Sequence, residues 1–169
     1  MQQAIMNFLN FVSYLVTVVS IVFYIYLFIM WVRGIAPVLY RIGNGLSHKK
    51  IVIFAKGDNL TSIQDLIIDS KLFRTKNLSN ISSKNDLDKS IGKDIFLINW
   101  PDWRENINEI LSKINDKTAL VVYAPQEAGF IPKEQMSEFN KRRNVAIANF
   151  RGRLLNDIVT SIITISQNK

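Results

Sequence analysis

The sequence predicts one membrane helix followed by an α/β domain with a parallel, doubly wound sheet. Two observations predict this arrangement. Residues 1–32 contain no Lys, Arg, Asp, Glu or His, so the remainder of the chain carries the whole formal charge of +7. From residue 50 onward, short apolar runs alternate five times with segments of helical periodicity, which is typical of successive β–α units. We therefore divide the chain into a membrane helix at 1–32, a juxtamembrane linker at 33–49 and a domain at 50–169.

The membrane helix is predicted from its length. A bilayer core of roughly 30 Å needs about 20 apolar residues in a helix, and residues 8–32 exceed that length. A cleaved signal peptide has a basic start, a shorter apolar core and small residues at its cleavage site. Here no basic residue precedes the core, and bulky Met30, Trp31 and Val32 end it. We expect the helix to be retained as a single pass.

The charges that flank the helix predict its orientation. Arg33, Arg41, Lys49 and Lys50 follow the apolar stretch, and no basic residue precedes it. Because basic residues accumulate on the cytoplasmic side of membrane helices, we expect the N-terminus outside and the domain in the cytoplasm. The many Ile, Asn and Lys residues are typical of an AT-rich bacterial genome, so the predicted location is the bacterial cell inner membrane.

A polar stripe runs along the predicted membrane helix. Its members are spaced by three and four residues, which places them on one helix face: Asn7, Asn10, Ser13, Thr17 and Ser20. Polar side chains in lipid face another helix or water, so the stripe predicts a homo-oligomer formed through this face. Alternatively, Ser and Thr bond to their own backbone and the stripe has no partner.

The linker at 33–49 has apolar residues at helical spacing. We predict a short amphipathic helix at the membrane surface, ended by Gly43 and Gly45.

The domain has five predicted strands and five predicted helices. The strands are Ile51–Ala55, Asn77–Ser82, Asp94–Asn99, Ala119–Ala124 and Asn144–Phe150, and the helices lie near 60–73, 84–91, 103–115, 132–142 and 152–166. The first, third and fourth strands are nearly continuous apolar runs, as expected for strands buried on both faces. Asn59 or Thr61 is the predicted cap of the first of these helices.

Five β–α units predict a five-stranded, mainly parallel sheet, since parallel neighbours require crossover connections. We expect a flavodoxin-like, or more broadly Rossmann-like, strand order. Ligands of such sheets bind beyond the carboxyl ends of the strands, at the point where the strand order reverses. The loops that follow the strands are therefore the candidate site.

Composition and motifs exclude several chemistries. The chain has no cysteine and a single histidine, His48, which excludes disulfides and thiolate metal sites and argues against a histidine-built metal site or a Ser/His triad. The dinucleotide fingerprint G-x-G-x-x-G is missing after the first strand. A phosphorylated receiver needs an aspartate, a Ser or Thr and a lysine at the ends of its third, fourth and fifth strands, and these strands end here in Asn99, Ala124 and Phe150. No catalytic motif is complete, so we expect no enzyme activity and no cofactor.

The loop after the fifth strand is the most informative. Arg151 and Arg153 stand at the start of the last helix, where the helix dipole disfavours cations by roughly 0.3–1 kcal/mol. This placement suggests an anion bound by the two arginines, with Lys56 as a third charge. Alternatively, both arginines pair with carboxylates of adjacent loops, such as Asp102 or Glu127.

The other strand-end loops complete the predicted ligand-binding set. Trp100 is a candidate to stack on a base, although Trp100 and Trp103 alternatively cap the sheet. The whole set is Lys56, Asp58, Asn59, Trp100, Gln126, Arg151 and Arg153. Basic residues are spread along the chain and form no single stripe, so we expect no direct nucleic-acid binding.

One helix ahead of a small Rossmann-like domain resembles the membrane effectors of bacterial anti-phage systems. These include CRISPR-associated proteins that join a membrane helix to a CARF domain, and membrane proteins with TIR-like domains. The resemblance covers the architecture of the whole chain. It implies that the domain recognises a nucleotide second messenger and that the membrane part perturbs the bilayer. TIR hydrolases of NAD carry a glutamate on the helix after the third strand, and Glu105 and Glu109 lie in that region.

The sequence therefore supports three functional hypotheses. The leading hypothesis is a sensor-effector that binds a (cyclic oligo)nucleotide and perturbs the membrane by assembling its helices. The second is a membrane-tethered hydrolase of NAD or a nucleotide that uses Glu105, Glu109 or Asp102. The third is an anchor that docks a protein partner and binds no small ligand.

The predicted orientation is testable because the chain has no native cysteine. In intact spheroplasts, a membrane-impermeant maleimide should label a Gln3→Cys variant and should label a Lys169→Cys variant only after lysis. The opposite pattern would contradict the orientation.

Overall fold

A computed structural model describes residues 2–166, with all their side chains except those of Arg41 and Ser166. The first residue of the predicted membrane helix and the last three residues of the predicted domain lie outside the described residues. The chain forms two compact units, Met1–Tyr40 and Arg41–Lys169.

The first element, α1, is one helix from Gln2 to His48. By length and composition, it is long and apolar enough to cross a membrane, and its apolar side chains are exposed over residues 5–32. The structure differs from the prediction after residue 32, since no separate linker helix forms and α1 continues through Gly43 and Gly45. The reason is conformational: neither glycine adopts the positive φ of a left-handed helix cap.

The second unit alternates strands and helices in the predicted order. Its elements are β1 (Ile51–Phe54), α2 (Gly57–Asp69), β2 (Leu78–Ile81), β3 (Ile95–Asn99), α3 (Trp100–Trp103), α4 (Ile107–Ser112), β4 (Ala119–Tyr123), α5 (Lys133–Asn140), β5 (Val145–Ala148) and α6 (Arg151–Ser166). Each strand lies within its predicted range.

Two predicted helices take another form. The helix predicted near 84–91 is a 3-10 helix, Lys84–Ser90. The helix predicted near 103–115 is broken, because α3 and α4 are joined by a 3-10 turn, Arg104–Asn106. Pro101 begins this segment early, since proline lacks an N–H and suits the first turn of a helix.

The five strands form one parallel sheet in the order β2-β1-β3-β4-β5. This is the flavodoxin-like order that the sequence predicts. From β1 the chain crosses to β2 on one side, whereas from β3 it crosses to β4 on the other. The strand order therefore reverses between β1 and β3, and a doubly wound sheet opens its crevice at that point.

The sheet is covered on both faces. Helices α2 and α6 cover one face, where they pack on alternate residues of the strands. The other face is covered by α3, α4, α5 and the 3-10 helix at Lys84–Ser90. Every residue of β1 and β3 is buried, and so are four of the five residues of β4, which explains their continuous apolar sequences.

The end of α1 is bonded to the amino edge of the sheet. The Asn77 side-chain amide donates to the carbonyl oxygen of Ser47 at 2.8 Å, immediately before β2. Asp94, immediately before β3, accepts from the Lys49 ammonium at 2.8 Å and from the Lys50 backbone N–H at 2.9 Å. The chain thus enters the sheet at its amino edge, and the predicted ligand loops lie at the opposite, carboxyl edge.

Two neighbouring isoleucines of α2 give a matched test of the core. Ile67 is fully buried against the sheet, whereas Ile68 is 36% exposed. Ile67→Ala should lower the free energy of unfolding by about 2–5 kcal/mol, because it leaves a cavity in the core. Ile68→Ala should change it by about 0.5 kcal/mol or less. Chemical denaturation of the full chain in detergent, followed by tryptophan fluorescence, measures both, and equal losses would contradict the assigned helix face.

Candidate functional site

The point where the strand order reverses is closed by the side chain of Asp102. Its carboxylate accepts from the Lys56 backbone N–H at 2.8 Å and from the Asn99 side-chain amide at 2.7 Å. The Asn59 side-chain amide donates to both carboxylate oxygens, at 3.1 and 3.3 Å. These bonds join the loops after β1 and β3, the strands between which the order reverses. A negative group of the protein therefore fills the place where doubly wound folds receive an anionic ligand.

This arrangement changes the predicted start of α2. The helix begins at Gly57, with Lys56 as its N-cap residue and no side-chain cap of its own, so neither Asn59 nor Thr61 caps it. Gly57 has a φ of 52°, a left-handed conformation that glycine adopts at little cost. The sharp turn at Gly57 starts α2 two residues before its first predicted capping position. The carboxylate that accepts from the Lys56 backbone N–H comes from Asp102, in another loop.

The ammonium of Lys56 is directed towards Trp103. Its Nζ lies 4.9 Å from the centroid of the Trp103 ring, within the range of a cation–π interaction. Trp103 packs on the face of the sheet opposite α2 and α6. The structure therefore joins Lys56 to Asn59 and Asp102, and it directs the Lys56 charge away from the face that carries the two arginines.

The two arginines of α6 do not pair with the carboxylates that the alternative named. The Arg151 guanidinium donates to the hydroxyl of Ser62 and, at 3.0 Å, to its carbonyl oxygen, which links α6 to α2. Arg153 lies 3.8 Å from a carboxylate oxygen of Asp157, one turn further along α6. Both arginines are exposed. Within residues 2–166, both acceptors of the Arg151 guanidinium are uncharged groups. No ion pair with the described residues therefore neutralises its charge.

The two tryptophans belong to the core. Trp100 is 3% exposed and Trp103 is 1% exposed. The Trp100 ring packs edge to face on Phe139, and the Trp103 ring packs in the same way on Phe54. This is the alternative in which the tryptophans cap the sheet, and it leaves Trp100 without an open ring face for a base.

The remaining predicted residues are more dispersed. Asp58 is exposed in the first turn of α2, and Gln126 is exposed in a 3-10 turn after β4. Glu105 is exposed, and Glu109 pairs with Lys84 at 2.9 Å. No cluster of acidic or histidine side chains suited to a metal ion occurs within the described part of the chain.

The carboxyl edge also exposes aromatic side chains that the sequence analysis did not select. Phe130 is 100% exposed in the loop after β4, and Phe150 is 54% exposed immediately after β5. These two loops are neighbours, because β4 and β5 are paired strands and the Ala124 N–H donates to the carbonyl of Ala148 at 2.9 Å. Phe150 was included in the predicted fifth strand, and Phe130 lies beyond the loop residues that were considered after the fourth strand.

Part of the polar stripe on α1 is satisfied within the helix. The Thr17 hydroxyl donates to the carbonyl oxygen of Ser13 at 2.8 Å, which is the alternative that the sequence left open for Ser and Thr. Asn7 and Asn10 are exposed on the same helix.

Two open grooves lie away from the predicted residues. One, of about 700 Å³, lies between α4 and α5 and includes Asn108 and Gln135. The other, of about 280 Å³, lies at the amino ends of β4 and β5 and includes Thr118 and Asn144. Neither groove contains a residue of the predicted ligand-binding set.

The Asp102 bonds make a testable contribution to stability. Asp102→Ala should lower the free energy of unfolding by about 1–3 kcal/mol, because it leaves the buried amide of Asn99 without its acceptor. Asp58→Ala, which removes an exposed carboxylate in the first turn of α2, is the control and should lower it by about 0.3–1 kcal/mol through the helix dipole alone. Denaturant unfolding of the full chain measures both, and equal effects would show that the Asp102 bonds do not stabilise this edge.

Comparison with known proteins assigns no family to this chain. No protein-family model matches it, and searches of curated proteins and of solved structures return no significant match.

Proposed function

We propose that this protein is a membrane-anchored sensor-effector whose cytoplasmic domain binds a phosphate-bearing nucleotide at the carboxyl edge of its sheet. The observation that carries the proposal is the pair of exposed arginines in the first turn of α6. They stand at the edge where doubly wound sheets bind ligands, in a position where the helix dipole disfavours cations. A bound phosphate offsets that cost and accepts paired hydrogen bonds from guanidinium groups.

The geometry of the carboxyl edge also restricts where the phosphate binds. The crevice between β1 and β3 holds the Asp102 carboxylate, which repels an anion. The phosphate therefore binds on the α2–α6 side of the edge, where Arg151 already reaches Ser62. Trp100 and Lys56 take no part, because the first is buried and the second lies over Trp103.

In this proposal, the effect of ligand binding is transmitted through the sheet to α1. The bonds of Ser47 and Lys49 with residues that precede β2 and β3 fasten the end of α1 to the domain. A ligand changes this unit only through different affinities for two states. In the proposed mechanism, the ligand-bound state associates with further copies. The α1 helices, which cross the inner membrane with the N-terminus outside, then assemble through their polar stripe and perturb the bilayer.

A second function is favoured by a separate observation. Phe130 and Phe150 are exposed large aromatic residues on adjacent loops, and aromatic residues with arginine are enriched in protein interfaces. In this alternative the carboxyl edge docks a protein, and α1 is its anchor. No comparable observation favours the hydrolase, since Glu109 is paired with Lys84 and Asp102 is held by three neighbours.

Ligand binding is tested by thermal unfolding of the full chain in detergent. Cyclic oligonucleotides, linear nucleotides and NAD are added in turn, and a ligand at 100 times its Kd stabilises a fold by about 2.7 kcal/mol. We expect at least one cyclic oligonucleotide or linear nucleotide to raise the melting temperature. The double variant Arg151→Ala/Arg153→Ala should lose the shift.

The control is Arg74→Ala, an exposed arginine that precedes β2 at the opposite edge of the sheet. It should keep the full shift. An equal loss in both variants would indicate a general charge effect, and no shift with any compound in the folded wild-type chain would favour the protein-docking anchor.

A further inference from the structure

We infer that β5 and α6 form a docking groove for an extended segment of a partner polypeptide, which adds to the sheet as a sixth strand and places a lysine side chain on Asp157. This groove runs along the outer side of β5. It contains neither Arg151 nor Arg153, although Arg153 lies 3.8 Å from Asp157 on α6, and the inference does not rest on the proposed nucleotide function.

The first observation is an uncovered strand edge. β5 ends the sheet order, and its residues Val145, Ala146 and Ile147 are only half-buried, whereas the central strands are buried. Its sequence is apolar and contains no proline or charge, although natural proteins usually protect exposed edges with such residues.

The backbone groups of this edge are suited to pairing. Asn144 and Ala148 direct their carbonyl groups towards β4, where they accept from Leu120 and Ala124 at 2.8 and 2.9 Å. Because alternate residues of a strand direct their N–H and C=O groups to opposite sides, those of Val145 and Ile147 point away from β4. Within residues 2–166, no other strand pairs with them. An extended peptide supplies the missing partners.

The second observation is a buried carboxylate with one oxygen that has no hydrogen bond within the described residues. Asp157 is 9% exposed, and its Oδ2 atom accepts no hydrogen bond from the described residues. Its other oxygen has Arg153 at the long distance of 3.8 Å. A buried polar group that lacks a partner is costly, so a donor supplied by a ligand stabilises the complex.

The third observation connects the first two. A cavity of about 150 Å³ is lined on one side by residues 143–146 and on the other by Asp157, Thr160, Ser161 and Thr164 of α6. Ala146 and α6 pack on the same face of the sheet. A side chain from an added strand that points to this face therefore enters the cavity beside the carboxylate. The cavity is lined by the exposed Arg143 and by the buried carboxylate of Asp157, and a lysine on the added strand suits the buried carboxylate.

A polypeptide of different sequence fits better than a second copy of this chain. In antiparallel pairing of two β5 strands, Val145 meets Ile147 of the second copy, and the two Ala146 residues meet at the symmetry axis. Asp157 lines the same cavity as Ala146. A second copy therefore brings the Ala146 methyl group to this position and supplies no donor to the Oδ2 atom of Asp157.

The test uses the full chain in lipid nanodiscs and a fluorescein-labelled peptide, Thr-Val-Thr-Lys-Thr-Val-Thr. The matched peptide has glutamate in place of lysine. Fluorescence anisotropy should show that the lysine peptide binds at least about tenfold more tightly, a difference of about 1.4 kcal/mol. Hydrogen–deuterium exchange should slow in the segment 144–148 when it binds.

Two variants separate the parts of the groove. Asp157→Asn keeps the side-chain shape and should remove the preference for lysine. Ile147→Pro removes an outward N–H without breaking a bond to β4 and should abolish binding of both peptides. The proposal is overturned if neither peptide binds the wild-type chain, if both bind equally, if Asp157→Asn keeps the preference, or if the chain forms a dimer that Ile147→Pro dissociates.

Discussion

Burial of the central strands on both faces is the constraint on which the rest of the domain depends. β1, β3 and β4 have no polar face, so helices must cover the sheet from both sides. Parallel strands connected by crossovers bring every β-to-α loop to one edge and every α-to-β loop to the other. The bonded end of α1 lies at the amino edge, and the two arginines of α6 lie at the carboxyl edge. The apolar sequences of these three strands thus place the end of α1 and the proposed ligand-binding loops at opposite edges of the sheet.

Asp102 determines how the carboxyl edge is used. Three donors from two loops hold its carboxylate, and they join the strands between which the order reverses. A phosphate in the same place would meet a fixed negative charge, so the proposed ligand is displaced to the arginines of α6. The exposed Phe130 and Phe150 lie on the loops after β4 and β5, which makes this half of the edge the one available to a partner.

The sequence predicted the strands well and the side-chain partners poorly. Apolar runs and turn residues locate a buried strand within a few residues, because burial acts on every residue of the run. The partner of Arg151 is Ser62, 89 positions away, and no spacing pattern indicates such a pair. Asp102 was considered as an acidic or catalytic residue, whereas its role in bonding Asn59 and Asn99 depends on the packing of two loops. The helix predicted to end at Gly43 continues because glycine permits a left-handed cap without requiring one.

Hydrogen–deuterium exchange of the full chain in lipid nanodiscs, measured with each nucleotide in turn, tests the central claim most directly. The account predicts that the bound nucleotide slows exchange in residues 151–156, at the start of α6, and leaves residues 99–102 unchanged because Asp102 already closes that loop. Slowing at 99–102 without slowing at 151–156 would contradict the account.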